Sequence, residues 1–152
     1  MSGAATLCRL TYIQEQFLLD HSRERVTYGS AVMPKRILIV DDFSDTRRLA
    51  KIVLEKSGYE VIEAADGYEA VKRAVKDRPD VILMDIAMPV MDGIQATQAI
   101  RKHYDPSEVP IVAVTAYGDF YHERARDVGC NDVVQKPIEI SRLTPIIEQF
   151  LH

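Results

Sequence analysis

Apolar positions along this 152-residue chain fall into two kinds of block, and from residue 35 onward the kinds alternate. Three blocks are unbroken apolar runs: "RILIVD" at 36–41, "DVILMD" at 80–85 and "PIVAVT" at 110–115. Such runs are the pattern of strands covered on both faces. Two further blocks, "EVIEA" at 60–64 and "DVVQ" at 132–135, are shorter or alternate with polar residues. They read as strands at the margins of a sheet. Between the strands the apolar spacing changes to that of a helix.

The first helical stretch, "SDTRRLAKIVLEKSG" (44–58), has Ser44 as its expected cap and Gly58 as its stop. The second, "GYEAVKRAVKDR" (67–78), sets Ala70, Val71, Ala74 and Val75 on one face and ends before Pro79. The third, "GIQATQAIRKHY" (93–104), follows Asp92, a natural N-cap. The fourth, "DFYHERARDVG" (119–129), ends at a glycine. The last, "EISRLTPIIEQFL" (139–151), has an inner stripe of Leu143, Ile146, Ile147, Phe150 and Leu151. Pro145 falls inside it, so its first turn is expected to be displaced or kinked.

Five strand–helix units predict an α/β fold: a parallel sheet with helices on both faces, since right-handed crossovers place them there. Putting the two polar strands at the edges gives a doubly wound sheet in the order 2-1-3-4-5. The first and third strands then lie side by side at the switch point, where ligands bind. Residues 1–33 break from this alternation. They hold one helical hint, "TYIQEQFLLDHSRER", with Thr11 as cap and Ile13, Phe17 and Leu18 on one face. They are expected to form a disordered or loosely docked extension, with the domain at 34–152. Met33 before "PKRILIVDD" reads as an alternative start.

Composition narrows the function classes. Hydrophobic residues make up 47% and charged residues 28%, ordinary for a soluble globular chain. A formal net charge of −4 speaks against a nucleic-acid or anionic-membrane surface as the main partner. Cys8 and Cys130 have neither CxxC nor zinc-ligand spacing, so a reducing, cytoplasmic compartment is expected. No apolar run approaches the roughly 18 residues of a membrane span. The first residues lack a signal peptide's pattern.

The strand ends carry the chemistry. The first strand ends in Asp41-Asp42, the third in Asp85, the fourth in Thr115 followed by Ala116, and the fifth just before Lys136-Pro137. In a parallel sheet these ends share one edge. Carboxylates packed this closely repel, and some take up protons unless a cation intervenes. Hard oxygen ligands with open positions suit Mg²⁺. A carboxylate oxygen is also a competent nucleophile toward phosphorus. Lys136 and Thr115 would then face the phosphoryl oxygens. Each residue also has a plainer reading: an acid capping a helix, a β-branched strand residue, a solvated lysine. The coincidence of all of them at one edge favours the chemical reading. Asp92 is assigned to capping alone.

The motifs "ILIVDDFSDTRRL", "EAADGYEAV", "PDVILMDIAMPVMDG", "VPIVAVTA" and "GCNDVVQKP" cover residues from about 35 to the end. In order and spacing they resemble the receiver domain of bacterial two-component response regulators, most of all the stand-alone, chemotaxis type. The resemblance implies a flavodoxin-like (βα)5 sandwich and a signalling phosphoacceptor rather than an enzyme. It implies that Asp85 accepts a phosphoryl group from a sensor histidine kinase or a histidine phosphotransfer protein. It implies Mg²⁺ at Asp42, Asp85 and the carbonyl of Ala87, with Asp41 acting through water. Thr115 and Lys136 would contact the phosphoryl group, and the Lys136–Pro137 bond is often cis in this family. The downstream protein partner is not implied; with no output domain expected after residue 152, the chain is expected to signal by binding a partner or passing on its phosphoryl group.

Three features depart from the family pattern. Val133 stands three residues before the lysine, where an aromatic is usual. Ala87 and Tyr117 occupy positions that tune phosphoryl lifetime and vary within the family. Residues 1–33 have no family counterpart. With Val133 too short to act as the usual switch, one of Tyr117, Phe120 and Tyr121, Tyr117 foremost, is expected to take over coupling to the face of the fourth helix, fifth strand and fifth helix; the plainer reading is that these rings only pack or contact the partner. Two other functions share parts of this pattern. A haloacid-dehalogenase-type phosphatase needs an Asp-x-Asp-x-Thr spacing that "DDFSDT" lacks. An FMN carrier needs a hydroxyl- and glycine-rich phosphate loop where this chain has acids. An unphosphorylated interaction module would have a damaged acidic site, and here the acids are intact.

Overall fold

The structure is a computed structural model and describes residues 32–151. Strands and helices alternate strictly. In chain order they are β1 (Arg36–Val40), α1 (Ser44–Lys56), β2 (Glu60–Ala64), α2 (Gly67–Asp77), β3 (Val81–Asp85), α3 (Gly93–Arg101), β4 (Ile111–Thr115), α4 (Gly118–Asp127), β5 (Asp132–Gln135) and α5 (Ile140–Glu148). The strands form one sheet in the order β2-β1-β3-β4-β5. Every pairing is parallel. The polar strands β2 and β5 are the edges, as their patterning predicts. The helix expected within residues 11–25 and Cys8 lie outside the described residues.

The unbroken apolar runs exist because the sheet has two cores. Leu38, Val40, Ile82, Met84, Ile111 and Ala113 point to one face, under Ala70 and Ala74 of α2, Ile94 and Ile100 of α3 and Ala125 of α4. Their neighbours Ile37, Ile39, Val81, Leu83 and Val112 point to the other, under Leu54 of α1 and Leu143, Ile146 and Ile147 of α5. Side chains alternate along a strand, so a central strand must be apolar at every position. Phe150 and Leu151 pack at the margin of the second core. Val75, expected on the inner face of α2, is 39% exposed. Among the described residues no helix is long and apolar enough to cross a membrane.

The helix ends follow local chemistry, with one correction. Asp92 caps α3 in a reciprocal capping box with Gln95. Asp66 caps α2 by accepting from the Glu69 N–H. Ser44 does not cap α1. It is the first helical residue, and the N-cap is Phe43, which has no side-chain bond to the helix. The Asp41 carboxylate instead takes the Phe43 N–H at 2.8 Å, so the turn into α1 is closed from the strand end. α1 stops with Gly58 at φ 89, its N–H bonded to Glu55 O and that of Tyr59 to Leu54 O. That double bond pattern is the glycine stop the sequence predicts. Pro145 lies inside α5 without ending it, and the first turn is tightened by a bond from Arg142 N–H to Glu139 O.

Two glycines differ in what they exclude, and this makes a prediction. A Cβ at Gly58 would meet nothing within 4 Å, so Gly58→Ala bears only backbone strain, about 1–2 kcal/mol. A Cβ at Gly93 would overlap the Asp85 carbonyl oxygen and lie 2.8 Å from Ile86 Cα. Urea unfolding is therefore expected to show a larger loss for Gly93→Ala than for Gly58→Ala. Equal losses would show that the loop after β3 yields.

Candidate functional site

The carboxyl edge of the sheet gathers the predicted groups. Asp85 is the last residue of β3, and both it and Asp41 are 4% exposed. The Asp41 N–H still reaches Ala64 O at 3.3 Å, which extends the β1 ladder to the acid. Thr115, the last residue of β4, is buried. Lys136 follows β5, and its N–H donates to Thr115 O at 2.8 Å. Its ammonium lies 3.1 Å from Asp41 Oδ2 and 3.2 Å from Asp85 Oδ2. Asp42 is exposed, and carboxylate oxygens of Asp41, Asp42 and Asp85 all lie within 4.8 Å of one another. The Lys136–Pro137 bond is cis.

Thr115 stands one step back. Its Oγ1 accepts the Tyr117 N–H at 3.1 Å. Tyr117 itself is 63% exposed, with its ring edge-on to Tyr121. Ala87 is exposed, and its N–H donates to Asp85 Oδ1 at 3.3 Å. Val133 is partly buried against the core and offers no ring.

The loop after Asp85 is held by features that charge and spacing do not reveal. Met88 N–H bonds Ile86 O, and Met91 N–H bonds Pro89 O, which makes two tight three-residue turns in succession. The second is centred on Val90 at φ 69, a strained conformation for a β-branched residue. Gly93 N–H returns to Ile86 O at 2.9 Å. Gly67 lets Met91 approach, because a Cβ there would lie 2.6 Å from Met91 Cγ. In the sequence Gly67 and Gly93 stand out only inside motifs. Their roles depend on contacts between elements that no local pattern encodes.

Electrostatics sets the state of the acids. Burial raises the Asp85 carboxyl to about 6, and the charges of Asp41 and Asp42 add to this while Lys136 opposes it. Burial would lower the Lys136 ammonium, but the hydrogen bond to Asp41 and the charges of Asp85 and Asp41 outweigh it, so Lys136 is raised and stays protonated. A cavity of about 270 Å³ between α1 and α5, walled by Leu49, Val53, Leu83 and Leu143, borders Asp41, Asp85 and Lys136 on its apolar side. The donor set fits a hard cation. It offers three close carboxylates, one of them exposed to solvent, where waters would complete a metal's shell.

The model of the response regulator receiver domain matches residues 37–148. The chain belongs to the response regulator receiver family. The polar-differentiation response regulator DivK of Brucella anthropi is 38% identical over 122 residues, which is 78% of this chain and 98% of that protein. The chemotaxis response regulator CheY4 of Vibrio cholerae shares the fold with a TM-score of 0.73 and 32% identity, over 78% of this chain and all of that one. The receiver domain of sensor histidine kinase PA1611 from Pseudomonas aeruginosa matches with a TM-score of 0.71 and 35% identity, over 78% of this chain and 98% of that one. That structure has a magnesium ion coordinated in its active site cleft.

A raised carboxyl makes a stability prediction for this receiver. The folded chain holds the Asp85 proton more tightly than the unfolded chain, about 6 against 3.8. The cost of ionised Asp85 is therefore absent below pH 3.8, grows as pH rises, and is complete above pH 6. In EDTA, Asp85→Asn should be more stable than the parent at pH 7.5, by no more than about 3 kcal/mol. The gap should narrow as pH falls from 6 toward 4. Urea unfolding across that range measures it, and a variant less stable than the parent at pH 7.5 would contradict the assignment.

Proposed function

We propose that the protein is a phosphoacceptor of two-component signalling, with Asp85 as the residue that takes the phosphoryl group. The observation that carries this is the Asp85 carboxylate at a strand end, 3.2 Å from the Lys136 ammonium and beside two further carboxylates. Above pH 6 Asp85 is ionised and can act as the nucleophile. Its carboxylate oxygen forms the new P–O bond as the bond from phosphorus to the donor imidazole nitrogen breaks; that nitrogen keeps the electron pair and, with the other ring nitrogen protonated, the donor histidine leaves as neutral imidazole. The donor is a sensor histidine kinase or a histidine phosphotransfer protein. Asp41, Asp42, Asp85 and the Ala87 carbonyl would hold Mg²⁺, which when bound neutralises charge on the transferring oxygens.

Lys136 then exchanges a carboxylate for a phosphoryl oxygen without leaving its place. The Thr115 hydroxyl can donate to the phosphoryl group while still accepting the Tyr117 N–H. Displacing Thr115 would therefore pull on Tyr117 and the edge-to-face chain of Tyr117, Tyr121 and Phe120. This fits signalling by population shift to a downstream protein in the cytoplasm rather than turnover of a substrate. No nucleic-acid or membrane partner is needed.

The test is incubation of the full chain with a small acyl phosphate and Mg²⁺, followed by intact mass. The protein should gain one alkali-labile phosphoryl group, and EDTA or Asp85→Asn should abolish the gain. Undiminished labelling of Asp85→Asn would sink the site. With a stable phosphoryl mimic, amide shifts should spread to residues 117–121. An unchanged pattern in Tyr117→Ala along α4 and α5 would remove Tyr117 from the coupling.

A further inference from the structure

The three acids are not held equally. Asp41 is fixed at each of its polar groups. Its N–H meets Ala64 O, one carboxylate oxygen takes the Phe43 N–H, and the other takes Lys136. Asp85 is buried at a strand end and paired with Lys136. Asp42 is exposed, and among the described residues no hydrogen bond or ion pair restrains its carboxylate. What can aim it is its own backbone. The peptide from Asp41 to Asp42 is planar, so fixing the Asp41 carbonyl fixes the plane that carries the Asp42 N–H and Cα.

That carbonyl accepts from Arg47 Nη1 at 2.7 Å. Arg47 lies in the first turns of α1, and its side chain is 16% exposed. Its Nε is buried with no hydrogen-bond partner, 3.6 Å from Glu63 Oε1 on β2. A buried donor without a partner carries a desolvation cost. Joining α1 to β2 does not account for that cost, because Lys51 already reaches Glu63 at 3.2 Å. What Arg47 adds is the bond to the Asp41 carbonyl, with its positive charge beside that peptide.

We propose that Arg47, steadied by Glu63, is a positioning residue that sets the Asp41–Asp42 peptide and so aims the Asp42 carboxylate into the metal-binding cluster. The inference rests on the phosphoacceptor reading for its function, but not for its geometry. Removing such an outer partner typically weakens metal binding by about tenfold or more. Arg47→Gln keeps a polar end on a shorter arm and gives up the charge, so it grades the loss between the parent and Arg47→Met.

The experiment compares the full chain with Arg47→Met, Arg47→Gln, Glu63→Gln and Val128→Ala, the last a core truncation at the C-terminal end of α4, on the other face of the sheet. Two readouts are taken: Mg²⁺ affinity by calorimetry, and in EDTA the Asp42 amide and carboxyl-carbon signals. Mg²⁺ affinity should fall about tenfold in Arg47→Met, less in Arg47→Gln and Glu63→Gln, and remain at the parent value in Val128→Ala. The Asp42 signals should shift or broaden in Arg47→Met without any metal. Unmoved Asp42 signals in Arg47→Met, or equal loss of affinity in Val128→Ala, overturn the proposal. Should Arg47→Met not fold, Arg47→Gln and Glu63→Gln carry the same comparison. A parent that binds no Mg²⁺ counts against the phosphoacceptor reading alone, since the EDTA signals still judge Arg47.

Discussion

The repulsion among Asp41, Asp42 and Asp85 is the constraint on which the rest of this molecule depends. Two unit charges about 4 Å apart repel by roughly 4 kcal/mol at an effective dielectric of 20. Three carboxylates meet here, two of them almost fully buried. One ammonium, Lys136, spans Asp41 and Asp85 and offsets part of the repulsion. The rest is borne by the sheet. β1 and β3 are locked side by side from Ile37↔Val81 to Val40↔Met84, with apolar cores on both faces. The backbones that carry Asp41 and Asp85 cannot move apart without breaking that register. The remaining excess of negative charge is what a divalent cation could relieve.

Around this fixed edge the loops supply precision. The turn after β1 is closed by Asp41 itself, so one carboxylate both shapes the backbone and lines the site. The turn after β3 is compressed by Gly93 against the Asp85 carbonyl and strained at Val90. Backbone strain of this kind persists only where the surroundings over-determine it. Here it keeps the Ala87 backbone beside the Asp85 carboxylate. Flexible attachment would let the acids turn outward to water and lose the raised proton affinity of Asp85.

Much of this was legible in the chain because the signals are local. A strand covered on both faces must be apolar at every residue, so "RILIV", "VILM" and "IVAV" announce central strands, and "EVIEA" an edge. Asp92 declares α3 because its carboxylate reaches only three residues on. What depends on contacts between elements was hidden. Ser44 looks like a cap, but Asp41 across the turn has already closed the entry to α1. Gly67 matters because of Met91 on another loop, and Arg47 because its guanidinium reaches back to a strand end and across to Glu63. Tyr117 was expected on the strength of its ring, yet its firmest link to the site is a backbone N–H.

The most direct test is the proton affinity of Asp85 measured at its own carboxyl carbon. In EDTA, carbon-13 titration should place Asp85 near 6, well above the ordinary carboxylate range, and saturating Mg²⁺ should move it down as the cation compensates the cluster. An Asp85 that titrates near 4 in EDTA and ignores Mg²⁺ would contradict the account, because the three acids would then not be sharing one desolvated site.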